Sequence, residues 1–274
     1  MSRVKLKDVT VRRVFEALSR RFSGIFDILA WYVNGYRNNR IDELRGKYSG
    51  CECYIVANGP SVNKINMRLL EDKFVIGMNR CYMMEEKWGF LPDILVCINE
   101  LVLSQFAADF QGVRCRKVFS WSQRSLFPPM DDIEYVNCSL SVTDGFSSDI
   151  KKTVYSGGTV TYVCLQLAYY MGFEKVYLIG LDHNFDSKGV PNKTEVREAD
   201  EDKNHFHPDY FPKGIKWQLP DLLRSELAYS KARSTFESSG REIIDLTVGG
   251  KCEVFKKADI RSVLGEGAVL GGAR

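Results

Sequence analysis

Cys53-Tyr54-Ile55-Val56-Ala57-Asn58-Gly59-Pro60-Ser61 decides the fold, because an apolar run passes directly into a tight polar turn. A short apolar stretch ended by Gly-Pro reads as a buried strand. Gly59 lets the backbone approach another group closely, Pro60 fixes φ and removes a donor, and Asn58 and Ser61 put neutral polar groups at the strand's carboxyl end. In open α/β sheets that end faces the ligand crevice. The same turn also suits a strand-to-helix connection capped by Ser61, so other segments must choose between the two.

Two further strands end alike. Ile76-Gly77-Met78 runs into Asn79, and Val96-Cys97-Ile98 into Asn99, so three successive strands deliver an asparagine at their carboxyl ends. Asparagine offers a donor and an acceptor without charge, which suits a ribose, a pyrimidine edge or a phosphate oxygen. Periodicity predicts strands over 52–57, 73–78, 93–98, 116–120, 133–137, 175–180 and 242–246, and helices over 62–71, 100–109, 158–171 and 221–239. This alternation predicts an α/β fold with a mostly parallel sheet and helices on both faces.

Tyr155-Ser156-Gly157-Gly158-Thr159 opens the clearest helix of the chain. Such a start exposes N–H groups and the positive end of the dipole to a phosphate, or is simply capped by Ser156. The strand after it ends in Gly180-Leu181-Asp182, whose carboxylate suits sugar hydroxyls, a metal or a turn. The three histidines, His183, His205 and His207, all fall in the polar, Pro- and Gly-bearing stretch 183–220, which reads as a lid-like loop. His205 and His207 are expected to supply a catalytic base, since imidazole accepts a hydroxyl proton near neutral pH. A metal pair or plain surface histidines are the alternatives. Asp200-Glu201-Asp202 reads as a solvated run.

Residues 1–47 carry eleven Lys or Arg against five acids, and apolar residues from Val11 to Tyr32 keep helical spacing. These basic amphipathic helices either pack on the domain or lie on an anionic membrane surface. The remainder divides into a domain over 48–262 and a flexible tail over 263–274. A net charge of +3 argues against nucleic acid as partner. The eight cysteines fall mostly in apolar runs without metal-site spacing, so buried thiols and no structural metal are expected. With no signal peptide, and no apolar run near the ~20 residues of a membrane span, a cytoplasmic protein is expected, at most peripheral on the membrane's inner face.

The Ala-Asn-Gly-Pro-Ser strand end, the strand ending in Asn79, the Tyr-Ser-Gly helix start and the Gly-Leu-Asp strand together resemble the bacterial sialyltransferases of glycosyltransferase family 42. They are more similar still to the related domain of motility-associated flagellin glycosyltransferases, whose family label also covers hydroxymethylpterin diphosphokinase-like proteins. The similarity spans about residues 50 to 250. It implies a Rossmann-like single domain that transfers an acidic sugar (sialic acid-like, another nonulosonic acid or Kdo) from a CMP-activated donor to a glycan or lipid-linked acceptor. No further cofactor or metal is implied, and a homo-oligomer is admissible. By position, Asn58, Gly59 and Ser61 fall beside donor phosphate and sugar, Asn79 and Asn99 in the nucleotide pocket, Ser156 and Gly157 at phosphate or donor carboxylate, and Asp182 near ribose or sugar.

Three departures bear on the donor. Thr153 stands where the sialyltransferases have an arginine, and Asn184 where they have a leaving-group tyrosine. Their catalytic histidine corresponds to the region near Pro220 rather than to His205 or His207. Tyr210, Lys213 and Lys216 are candidates for the missing phosphate contacts. A pterin diphosphokinase, with Mg²⁺ held by Asp182 and Asp186, and a non-catalytic partner of a polysaccharide-synthesis complex are the competing expectations.

Overall fold

The computed structural model describes residues 26–36, 40–139, 141, 143–185, 191–198 and 201–270. Among them ten strands form: β1 (Glu52–Val56), β2 (Val75–Met78), β3 (Ile94–Cys97), β4 (Arg116–Ser120), β5 (Ile133–Val136), β6 (Lys175–Ile179), β7 (Thr194–Val196), β8 (Lys216–Gln218), β9 (Glu242–Asp245) and β10 (Lys256–Lys257). Eight make one sheet in the order β10-β9-β6-β1-β2-β3-β4-β5, with every pair parallel. The Rossmann-like α/β expectation is met.

Side chains alternate across a strand, so a strand apolar throughout must be covered on both faces. Cys53 and Ile55 of β1 and Ala57 directly after it, with Val176 and Leu178 of β6, join one core against α3 (Val160–Met171) and α4 (Leu222–Ser238). Tyr54, Val56, Tyr177 and Ile179 join the opposite core with α1 (Glu100–Gln105) and α2 (Ala107–Gly112). Helix α3 is apolar nearly all round and buried accordingly.

The helix expected over 62–71 is instead two 3₁₀ turns, Pro60–Lys64 and Met67–Leu70, separated by extended Ile65. Tertiary pairing overrides helical spacing there, because Ile65 forms a β-bridge with Val269. The helix expected over 100–109 breaks at Phe106 into α1 and α2. The same β-bridge, together with a hydrogen bond from Leu270 N to Lys64 O (2.8 Å), fastens the chain through Leu270, where a flexible tail was expected from 263.

Most of the proposed N-terminal helices lie outside the described residues. Within them, 26–36 is helical, with a π turn over Trp31–Gly35. Trp31 is fully buried, edge-on to Trp121 at 5.4 Å, while Trp121 Nε1 donates to Asp27 O (3.1 Å) and Arg124 pairs with Asp27 (2.8 Å).

The described residues of 183–220 carry more regular structure than their composition predicts. β7 and β8 form an antiparallel hairpin, and Phe206, Tyr210, Phe211 and Trp217 are buried in the second core. Phe206 N donates to Asn58 O (2.9 Å), and Asn63 Nδ2 donates to Phe206 O (2.7 Å). Arg80 donates to the carbonyls of Asp209 and Tyr210 and lies over the Phe106 ring. The described residues of the stretch form a wall of the domain, packed through these aromatic anchors.

From β1 the chain builds β2 to β5 on one side and then returns to place β6 on the other. The carboxyl ends of β1 and β6 therefore flank the topological switch point, where the crevice of such a sheet opens.

Candidate functional site

The turn after β1 is held against the turn after β6. Gly59 N donates to Gly180 O (3.0 Å), Ser61 N to Asp182 Oδ1 (3.2 Å) and Ser61 Oγ to Asp182 Oδ2 (2.6 Å). A Cβ on Gly59 would overlap Asp182 Oδ2 and stand 2.6 Å from Gly180 O. Gly59 thus allows the two turns to meet, rather than a ligand to approach. Burial pushes the Asp182 carboxyl above its ordinary range, against the opposing pull of the Ser61 hydrogen bonds and of Lys64.

Above this junction opens a cavity of about 640 Å³. Asn58, Gly59, Asn79, Asn99, Ser156, Asp182, His205, Tyr210 and Lys216 all line it, together with His183, Trp217 and Arg224. The three asparagines do different work. Asn99 caps α1, its Oδ1 accepting from Leu101 N (3.0 Å) and Val102 N (3.2 Å). Asn58 Oδ1 and Asn79 Oδ1 are buried and accept no hydrogen bond from the protein. A buried carbonyl without a donor is costly, on the order of 1–3 kcal/mol, unless a ligand or ordered water completes it. Asn79 also holds a left-handed backbone, φ 49°.

On the opposite wall, α3 begins after Thr159, whose side chain does not cap the helix; its Oγ1 accepts instead from the Tyr229 hydroxyl at 3.3 Å. First-turn N–H groups are therefore left without a side-chain acceptor at a wall of the cavity. Ser156 is not the cap: its Oγ accepts from Arg224 Nη2 (3.1 Å). Arg224 in turn grips Asp144 with two hydrogen bonds, Nε to Oδ2 (2.6 Å) and Nη2 to Oδ1 (3.0 Å). Asp144 Oδ1 also accepts from Gly157 N (3.0 Å). Burial opposes the ionised Asp144, but the Arg224 hydrogen bonds and charge, with the Gly157 N–H, hold its carboxyl below the usual range. Gly157 N is thereby occupied by the protein, while the guanidinium of Arg224 stands at the helix entrance.

In the loop wall, His205 Nδ1 lies 2.8 Å from Asp202 Oδ2, its ring stacked on Tyr210 with centroids 4.1 Å apart and planes at 8°. Asp202 is not solvated as its acidic run suggested: its side chain is fully buried, with Asn204 N donating to it (2.9 Å) and Arg197 at 3.8 Å. Burial opposes its charge, yet His205, Asn204 and Arg197 keep the carboxyl below the usual range. An ionised carboxylate only accepts, so the shared proton resides on His205 Nδ1 and leaves Nε2 as the basic nitrogen. His183, φ 51°, is paired through Nε2 with Glu226 at 2.9 Å.

His207 and Lys213 do not line the cavity; His207 Nδ1 accepts from Asp209 N (3.1 Å) within its own turn. Ser61 and Gly157 stand behind the wall, engaged with Asp182 and Asp144. Asp186 lies outside the described residues. Sequence reasoning missed Arg224, Asp144 and Asp202. The one legible signal was Asp202 three positions before His205, a spacing from which a carboxylate can reach the ring.

The family model of the 6-hydroxymethylpterin diphosphokinase MptE-like proteins matches residues 29–188, more than half of the chain. No curated protein matches. Among solved structures, the MAf glycosyltransferase from Magnetospirillum magneticum AMB-1 superposes with a TM-score of 0.51 at 19% identity, over 83% of this chain and 37% of its own. That likeness is one of fold, and the chain spans only 37% of that protein's length. Asp202, His205 and Arg224 lie beyond the residues matched by the family model.

Proposed function

Because the chain belongs to the 6-hydroxymethylpterin diphosphokinase MptE-like family, we propose that it is a transferase whose nucleotide-activated donor occupies the switch-point cavity, specifically a glycosyltransferase using a CMP-activated acidic sugar. The observation that carries this is the ordered Asp202–His205 pair on one wall, facing uncapped N–H groups and Arg224 on another, with buried acceptors on Asn58 and Asn79 between. A cytosine amino group or a ribose hydroxyl supplies the donors those acceptors lack. The phosphate or the sugar carboxylate goes to the α3 entrance, where N–H groups and Arg224 favour negative charge. Arg224 takes the part that Thr153 leaves vacant, reaching the same turn from α4.

In the reaction, His205 Nε2 takes the proton of an acceptor hydroxyl while Nδ1–H donates to Asp202. The acceptor oxygen bonds to the anomeric carbon, and the bond from that carbon to the phosphate oxygen breaks, its electron pair leaving with CMP. Asp202 steadies the imidazolium, and the α3 entrance stabilises the departing phosphate. A surface glycan or a lipid-linked sugar is the acceptor class.

Calorimetry with CMP, CDP, UDP and ATP, each with and without Mg²⁺, tests the donor. Metal-free CMP binding is expected. Preference for Mg-ATP would replace the glycosyltransferase with the diphosphokinase activity of the family's name. Full transfer by His205→Ala would remove the base.

A further inference from the structure

The helical segment 26–36 has two contrasting sides. Trp31 and Gly35 are buried against the domain, and a Cβ on Gly35 would stand 3.0 Å from the Trp121 ring. Away from that contact, Phe26, Leu29, Tyr32 and Val33 are 69%, 56%, 49% and 63% exposed. Phe26, Leu29 and Val33 follow one helical stripe, and four large apolar side chains together on one exposed stretch are a patch rather than scattered surface residues.

Charge identifies the occupant. Seven of the 38 Lys and Arg but only two of the 35 Asp and Glu fall within residues 1–25, so the whole positive balance of the chain is concentrated just ahead of this patch. In the sequence, the apolar spacing of the patch continues through Val11, Phe15, Leu18 and Phe22, with Arg12, Arg13, Arg20 and Arg21 interspersed. An apolar face preceded in the sequence by a strong positive balance fits a surface that is apolar at depth and anionic at its face. A second copy of this chain would bring the same positive charge and be repelled.

Position gives the patch a purpose. Trp121 directly follows β4, so the segment lies at the carboxyl edge of the sheet, the edge at which the cavity opens. Ser122 Oγ donates to Glu100 Oε1 (3.2 Å), and Glu100 lines the cavity. We infer that the 26–36 face, with the basic segment before it, docks the protein on an anionic lipid surface and brings the rim of the cavity to that surface. This holds whichever donor the cavity takes, and it selects acceptors presented at a membrane.

The test is flotation of the full chain with vesicles of phosphatidylcholine alone, or of phosphatidylcholine with phosphatidylglycerol, comparing wild type with Leu29→Asp/Val33→Asp. Both positions are exposed, and an unchanged thermal midpoint verifies folding. Wild type is expected to float with the anionic vesicles only, less so as salt is raised, and the variant to partition at least about tenfold less. Failure of wild type to float at low salt, or undiminished flotation of the variant, would overturn the docking. So would a wild-type dimer that the variant converts to monomer, since the patch would then pair copies. CMP binding measured alongside is expected to be equal in both proteins, which keeps the membrane result separate from the fate of the donor assignment.

Discussion

Substituting Gly59 by Ala tests the junction on which the cavity stands. The backbone at Gly59, φ −68° and ψ 153°, suits alanine, so conformational strain adds nothing. The cost is steric: the new methyl overlaps the Asp182 carboxylate and stands 2.6 Å from Gly180 O. One of these obstacles is a side chain and the other is backbone in the β6 turn, so relief requires the two turns to part. Overpacking of this kind costs about 1–3 kcal/mol, which for a chain of this size lowers the thermal midpoint by roughly 2–5 °C. Gly112, at the end of α2, is the control, because a Cβ there meets nothing within 4 Å. Gly112→Ala is expected to be neutral or stabilising by up to about 1 kcal/mol. Adding Asp182→Ala to Gly59→Ala restores only part of the loss, since the Gly180 carbonyl remains. Differential scanning calorimetry reads all four proteins, and equal midpoints for Gly59→Ala and Gly112→Ala would refute the steric account.

Arg224→Lys keeps the charge but loses the two-pronged grip on Asp144, so a cost of about 1 kcal/mol is expected, discounted for a partly exposed arginine. Nucleotide affinity measured by calorimetry should fall about tenfold if the α3 entrance holds phosphate. Asp182→Asn should stabilise increasingly as pH rises. The folded carboxyl is raised above its unfolded value, so its favourable contribution is complete below about pH 4 and is lost as pH climbs through the raised value. A variant whose advantage shrinks with pH in urea titrations would contradict that sign. Trp31→Ala removes a fully buried ring and should free the 26–36 segment, read as protease cleavage there with the sheet intact.

The seven strands predicted from apolar runs all exist, because strands buried on both faces leave a continuous apolar trace. The edge strand β10 spans only Lys256–Lys257 and leaves no such trace. The β7–β8 hairpin was invisible for a similar reason: of its six residues, only Trp217 is buried. In the site, the strand-end asparagines were legible as a set, but not that Asn99 is spent on capping α1 while Asn58 and Asn79 keep unmatched acceptors. Arg224 and Asp144 were out of reach, since their bond joins residues 80 positions apart and an arginine in the first turn of a helix looks like any solvated one. Asp202 was read by composition as surface, and its burial follows from the aromatic anchors that pull the loop onto the second core.

Titration of CMP into wild type and Asn58→Leu by calorimetry tests the central claim most directly. Removing the unmatched acceptor takes away a buried cost and a ligand contact together, so the variant is expected to be at least as stable as wild type and to bind CMP about tenfold or more weakly. A wild type that binds neither CMP nor any other nucleotide, or a variant that binds CMP equally well, would contradict a nucleotide site at the β1–β6 switch point.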